Sequence, residues 1–306
     1  MLINQPLGWK AGRALRRESQ STLYIARSHG WEPRVEAELS RAGAGSEPER
    51  GLVRRMASAL LRPLRNAQNE AAARTADGIV VGSRDDRDWI RDRHEVVAER
   101  ILAMPPGIAT AFLTSPAPAL GTARLRRLLY VGQFAPFKAP EAAASAMAAV
   151  LAAEPNTCAT WVCAAVHHPR VAALFPDAVR GRLTLLDWMP REQLARIYGE
   201  SGLYFFPSRF EGFGQTFLEA MARGAIVLAS RAGGMKEAIR HGENGFLFEP
   251  NSERAMADCA LSLIADPERA EAVGLAARKT AESYTWESAA EKFEQFVSEL
   301  RTLGPR

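Results

Sequence analysis

The stretch "FFPSRFEGFGQTFLEAMARG", Phe205–Gly224, decides the fold. An apolar run ends at Pro207-Ser208, and a helix pattern begins near Gln215 and runs to Arg223, with Gly224 where a helix usually stops. Gly212 and Gly214 stand between the two. Read as strand, loop and helix, the stretch is one unit of a doubly wound sheet, in which ligands bind beyond the carboxyl ends of the strands. The helix start at Gln215 and Thr216 then turns free N–H groups and a positive dipole end toward the cleft, an arrangement suited to an anion. Glu219 lies one turn further on, with its side chain leaning back toward that start. Glu211 sits in the loop ahead of it. Two carboxylates beside a phosphate pocket would repel free phosphate. They make sense for a ligand with hydroxyls on both sides of a diphosphate, as in a nucleotide sugar.

The rest of the chain repeats the same unit. "STLYIARS" (21–28), "GIVVGS" (78–83), "LRRLLYVGQ" (125–133), "TCATWVCAAV" (157–166), "RLTLLDW" (182–188), "GLYFFPS" (202–208) and "AIVLAS" (225–230) read as strands. They are nearly continuous in apolar residues, as strands covered on both faces are. Helix patterns lie between them at 140–154, 191–201 and 252–266. The alternation predicts an α/β chain of two Rossmann-like, doubly wound domains. A proline-, alanine- and threonine-rich stretch at 103–125 marks the boundary. The expected division is 1–106, 107–285 and a closing amphipathic helix pattern within 286–306.

Of 306 residues, 47% are apolar and 24% charged, so the chain can bury a core. A net charge of +4 is well short of a nucleic-acid footprint, and no nucleic-acid partner is expected. Three cysteines, Cys158, Cys163 and Cys259, suggest no disulfide framework and fit a reducing cytoplasm. No apolar run reaches the roughly 18 residues of a spanning helix. "RGLVRRMASALLRPLRNA" (50–67) is a basic amphipathic helix pattern that packs on its own domain or makes a peripheral contact at the inner membrane face.

"PSRFEGFGQTFLEAMARGAIVLASRAGGMKEAIRHGENGFLFEP" resembles the donor site of retaining glycosyltransferases of the family 4 type, which have the GT-B fold. "LLYVGQFAPFKAPE" is similar to that family's phosphate loop, and "ADGIVVGSRDDRDWI" and "MPPGI" to segments ahead of it. The resemblance runs over about residues 20–300. It implies transfer of a hexose from a nucleoside diphosphate sugar to a hydroxyl acceptor: a glycan, a lipid-linked acceptor or a small molecule. It assigns Glu211 to the hexose and Glu219 to the ribose. The donor-binding set it implies is Gly132, Gln133, Lys138, Gly212, Phe213, Gly214, Gln215, Thr216 and Glu219. "RSHGWEPR" is similar to a segment carrying a histidine near the hexose, which makes His29 a second catalytic candidate. No cofactor or metal is expected if the helix start, Lys138 and Gln133 stabilise the leaving diphosphate.

The chain departs from the family pattern at Gln133, where an arginine is usual, at Pro106 and Ala109, and at Asp187, where a glycine is common. The resemblance also implies more N-domain strands than the three readable in 1–106, at "MLIN" (1–4), 21–28 and 78–83, and hence an incomplete first domain. A nucleotide-sugar-binding module without transferase activity, and a sugar-nucleotide epimerase of the same fold, remain as alternatives. Two patterns carry little. Asp86-Arg87-Asp88 matches a metal-binding D-x-D, but Ser83 reads as an N-cap with acids in the first turn. Cys158, Cys163, His167 and His168 fit no common zinc spacing.

Overall fold

The computed structural model describes residues 2–4, 14, 22–41, 66–114 and 118–306. The basic pattern at 50–67 lies almost wholly outside them. The chain divides into two compact units. Unit 1 comprises Met1–Gly107, Phe210–Phe213 and Trp286–Arg306, and unit 2 comprises Ile108–Arg209 and Gly214–Thr285.

Unit 1 holds a parallel sheet of four strands in the order β1 (Leu2–Asn4), β2 (Ile25–Arg27), β3 (Gly78–Val81) and β4 (Ile101–Ala103). β4 is absent from the sequence reading, because its three residues lie in no longer apolar run. Helix α1 (Glu32–Arg41), helical residues 66–75 and α2 (Arg84–His94) belong to the same unit. Strand alternation splits the core in two. Ala26, Ile79 and Val81 point into a cluster with Tyr24, Trp31, Ile90 and Val96. Ile25 and Val80 point the other way, against Ala289, Phe296 and Leu300. Both faces are therefore covered, which explains the unbroken apolar runs.

The buried carboxylate of Asp77, just ahead of β3, accepts hydrogen bonds from the backbone N–H groups of Tyr24 (2.8 Å) and Arg306 (2.8 Å). Arg100 donates to the carbonyls of Asp77 and Gly304. These contacts fasten the last residues of the chain to the sheet. At α2, the Ser83 hydroxyl accepts from the Asp86 N–H, as an N-cap should. Arg34 then pairs with Asp86 (2.7 Å) and Asp85 (3.1 Å). Burial pushes the Asp86 carboxyl up, and Arg34 partly offsets this. Asp88 bonds to Arg87 and Arg91, so the D-x-D pattern serves a helix start.

Unit 2 is built on six parallel strands in the order β10-β9-β8-β5-β6-β7. They are β5 (Arg127–Val131), β6 (Cys158–Val162), β7 (Leu183–Leu186), β8 (Leu203–Phe206), β9 (Ile226–Ser230) and β10 (Phe246–Phe248). The order reverses at β5, which pairs with β6 on one side and β8 on the other. That is the topological switch point, and it places the loops after β5 and β8 side by side. Helices α3 (Pro140–Ala153), α4 (Arg191–Glu200), α5 (Gln215–Ala222), α6 (Glu253–Ala265) and α7 (Pro267–Glu282) belong to this unit, and α8 (Trp286–Leu303) returns to unit 1.

A buried arginine organises unit 2. Arg124 donates to the carbonyls of Pro118, Tyr198, Ser201 and Arg223. Burial and the nearby Arg223 lower its pKa to about 10. Arg278 on α7 donates to the carbonyls of Phe112, Leu113 and Ala222. Together the two guanidinium groups cover the carbonyl end of α5, the charge sign that end favours.

Asp77→Ala should lower stability by about 2–6 kcal/mol, because it strands two amide donors at about 1–3 kcal/mol each. Asp92→Ala, which breaks an exposed pair with Arg91, should change it by less than about 1 kcal/mol. Urea denaturation of both variants checks the contrast.

Candidate functional site

In unit 2 the site begins where β8 ends. After Phe206 the chain passes Pro207 and Ser208, and α5 starts at Gln215 with Gly214 as its N-cap. Gly214 has φ +92°, and an added Cβ would sit 3.1 Å from the Phe217 ring and 3.3 Å from the Phe206 ring. Only glycine suits both the angle and the space. Gly214 has no capping side chain, so the helix start is not covered by one. Two hydroxyls of this segment, Ser208 Oγ and Thr216 Oγ1, are buried with no hydrogen-bond partner among the described residues. A buried polar atom left this way loses about 1–3 kcal/mol, which a bound ligand can return.

The neighbouring loop follows β5. Gly132 N–H donates to the Val162 carbonyl, and Gln133 is exposed. Its backbone carbonyl lies 3.4 Å from the Tyr130 hydroxyl. Phe134 stacks on His167 at 5.3 Å and on the Arg170 guanidinium at 4.3 Å. Pro136–Lys138 form a 3-10 turn that ends at Ala139, in the left-handed region at φ +48°. The Lys138 ammonium lies 5.2 Å from the Phe206 ring centre and 5.6 Å from that of Phe137. Arg209 ties the two loops together: its N–H donates to the Phe137 carbonyl and its guanidinium to the Pro136 carbonyl. Lys138 is thereby held over the strand that leads to Gly214.

Glu219 is set back in α5. Tyr198 Oη donates to Glu219 Oε2 at 3.3 Å. Burial raises the Glu219 pKa to about 7, against smaller opposing effects of Tyr198 and Arg191. It is not a solvated helix-surface charge.

In unit 1 the segment Phe210–Phe213 packs on the loop after β2. A Cβ on Gly212 would lie 2.1 Å from the His29 carbonyl oxygen, so the two backbones touch and no larger residue fits. Phe210 lies beneath the Arg34 guanidinium, 5.3 Å from ring centre to Cζ. Glu211 is buried and Phe213 is buried beside Gly82. Glu211 and His29, far apart in sequence, thus sit on touching loops. Partial burial and the charge of Arg27 lower the His29 pKa, which favours its neutral ring at pH 7.

Sequence reading overlooked Ser208, Arg209 and Tyr198. Ser208 had a readable position, at the carboxyl end of a buried strand. Arg209 and Tyr198 act through contacts that no local pattern reveals. Asp187 accepts hydrogen bonds from the N–H groups of Ala165 and Trp188, joining the loops after β6 and β7. His168 lies against the carbonyls of Cys163 and Leu186, and Cys158 is exposed while Cys163 is buried. Among the described residues no three His, Cys, Asp or Glu side chains cluster as metal ligands. No described helix is long and apolar enough to cross a membrane.

Residues 126–266 match the family model "Glycosyl transferases group 1". D-inositol 3-phosphate glycosyltransferase of Corynebacterium glutamicum is 29% identical over 235 residues, covering 70% of this chain and 55% of that protein. The protein of the same name from Nocardia farcinica is 30% identical, covering 71% of this chain and 51% of its own. The chain spans about half the length of the curated relatives it matches. Among solved structures, sucrose-phosphate synthase from Thermosynechococcus elongatus has a TM-score of 0.75 at 23% identity, over 99% of this chain and 73% of that one. The Anabaena protein HepE in complex with UDP-glucose has a TM-score of 0.66 at 20% identity, over 99% and 85%. The α/β fold of parallel sheets is that of the GT-B glycosyltransferases, and residues 126–266 are similar to the glycosyl transferases group 1.

Proposed function

We propose that the protein is a retaining hexosyltransferase that uses a nucleoside diphosphate sugar and a hydroxyl acceptor. The observation that carries this reading is the uncapped start of α5. It stands at the switch point with two buried hydroxyls, Ser208 and Thr216, that have no partner among the described residues, and with Lys138 held on the adjoining loop. The relatives named above are glycosyltransferases by name, and HepE, solved with UDP-glucose, supports the donor class.

In this reading the diphosphate rests on the N–H groups at Gly214, Gln215 and Thr216, with Lys138 and Gln133 beside it. As the bond from the anomeric carbon to the diphosphate oxygen breaks, negative charge grows on the phosphate. The helix dipole and the lysine stabilise it with no reorganisation, so no metal is required. Glu219 accepts hydrogen bonds from the ribose. Glu211 and His29 serve the hexose end, where a carboxylate offsets the positive charge that develops at the sugar ring. The new bond to the acceptor oxygen forms on the face the diphosphate leaves, the acceptor's hydroxyl proton passes to the departing diphosphate, and the anomeric configuration is kept.

Three outcomes follow from these assignments. Lys138→Ala should weaken nucleoside diphosphate binding by about 10- to 100-fold, the loss of a charge-assisted hydrogen bond of about 1.5–3 kcal/mol. Calorimetry in EDTA measures it, and an unchanged affinity would remove Lys138 from the site. Gln133→Arg should tighten the same complex by up to about 1–2 kcal/mol, because a planar fork matches two phosphate oxygens. Glu211→Gln should cut sugar transfer far more than nucleotide affinity. Equal losses in a labelled-donor assay would place Glu211 in binding or folding instead.

A further inference from the structure

Tyr198 is fully buried near the end of α4, with no surface role and no place in the chemistry above. Its hydroxyl donates to Glu219 Oε2 at 3.3 Å and also neighbours the Tyr204 hydroxyl. The two phenol rings meet edge to face at 5.6 Å. Tyr204 Oη in turn donates to the Val131 carbonyl at 3.0 Å, at the last residue of β5 and directly ahead of the loop carrying Gln133 and Lys138. Two buried phenols, packed edge to face, therefore stand between the backbone of the phosphate loop and a carboxylate in the first turns of α5, and each donates its one proton to its own end. Polar groups at this depth are retained when satisfied and costly when not.

We propose that Tyr198 is a positioning residue of the donor site: fixed by full burial and by its edge-to-face packing on Tyr204, it orients the Glu219 carboxylate toward hydroxyls of the donor and favours its ionised form. This rests on the donor-site reading given above. The burial of Tyr198, with Tyr204 and Glu219 beside it, raises its pKa well above the usual phenol value, so it remains a donor throughout the accessible range. Glu219 is the group that titrates. Burial alone would keep it protonated, and the Tyr198 hydrogen bond pulls the other way. The groups acting on Glu219 are Tyr198 and Arg191 from α4, with Tyr204 of β8 behind Tyr198. On α7, Arg278 sits at the opposite end of α5, on the Ala222 carbonyl.

The sign follows. With a pKa near 7, Glu219 is protonated at pH 6 and ionised at pH 8. A carboxylate accepts at both oxygens, whereas the acid keeps a proton that competes for one of them. Donor affinity should therefore rise with pH through neutrality. Removing the Tyr198 hydroxyl removes an interaction that favours the ionised form, so the midpoint should move to higher pH.

The experiment uses UDP-, GDP- and ADP-glucose with the full chain, by calorimetry from pH 5.5 to 8.5. Sugar nucleotides serve because a terminal phosphate titrates near pH 6 and would mask the effect. For the tightest of the three, affinity should fall about three- to tenfold from pH 8 to pH 6, within the limit of one pKa unit per tenfold. Y198F should move the midpoint upward while binding within about threefold of the unaltered chain at pH 8.5, and E219Q should flatten the curve. A flat curve for the unaltered chain, or a uniform loss in Y198F with an unmoved midpoint, would overturn the inference and leave the donor site intact. No binding by any of the three at pH 8.5 would overturn the donor-site reading and this inference with it.

Discussion

Helix α5 is fixed from its carbonyl end. Arg278 and Arg124 reach the last carbonyls, at Ala222 and Arg223, and each is held by further backbone oxygens. Cations there complement the helix dipole by about 0.3–1 kcal/mol each, and more where partly buried. Placement matters more than that energy. Because the carbonyl end cannot slide, the uncapped start at Gly214 and the carboxylate of Glu219 stand at set points beyond β8. The Arg209 contacts then carry the same register to the loop after β5. A site of backbone N–H groups has no rotamers with which to correct an error, so it depends on a helix that does not move.

Glu219 shows how context reassigns a charge. A glutamate in the first turns of a surface helix is ordinarily solvated. Here α4 brings Tyr198 beside it, and burial raises its pKa to about 7. The same residue type at position 211 is buried through a different route, on a four-residue insertion that packs against the loop after β2. The two acids are eight positions apart in sequence, yet they belong to different compact units.

Much of this was legible without coordinates. Strands β1 to β3 and β5 to β9 fall in stretches readable as strands, most of them because sheets covered on both faces need unbroken apolar residues. β4 and β10 do not: each has three residues, and neither lies in a longer apolar run such as the 21–28 stretch that holds the equally short β2. The start of α5, the glycine before it and the inward lean of Glu219 follow from local helix geometry, so they could be read directly. The close approach of Gly212 to the His29 carbonyl, the Arg124 hub and the Tyr198–Tyr204 pair could not. Each joins residues whose separation along the chain is set by the topology alone.

The path of α8 has a consequence for how the chain is made. Ala289, Phe296 and Leu300 close one face of the unit 1 core, against Ile25 and Val80. They leave the ribosome only after all of unit 2, whose own core draws on 120–273. At about 5–20 residues per second, the sheet that is synthesised first waits roughly 10–35 s with that face uncovered. Unit 2 has no such wait, since its buried strands and helices follow one another in sequence. The contacts of Ile25 and Val80 with α8 thus form only after the whole of unit 2 has been made.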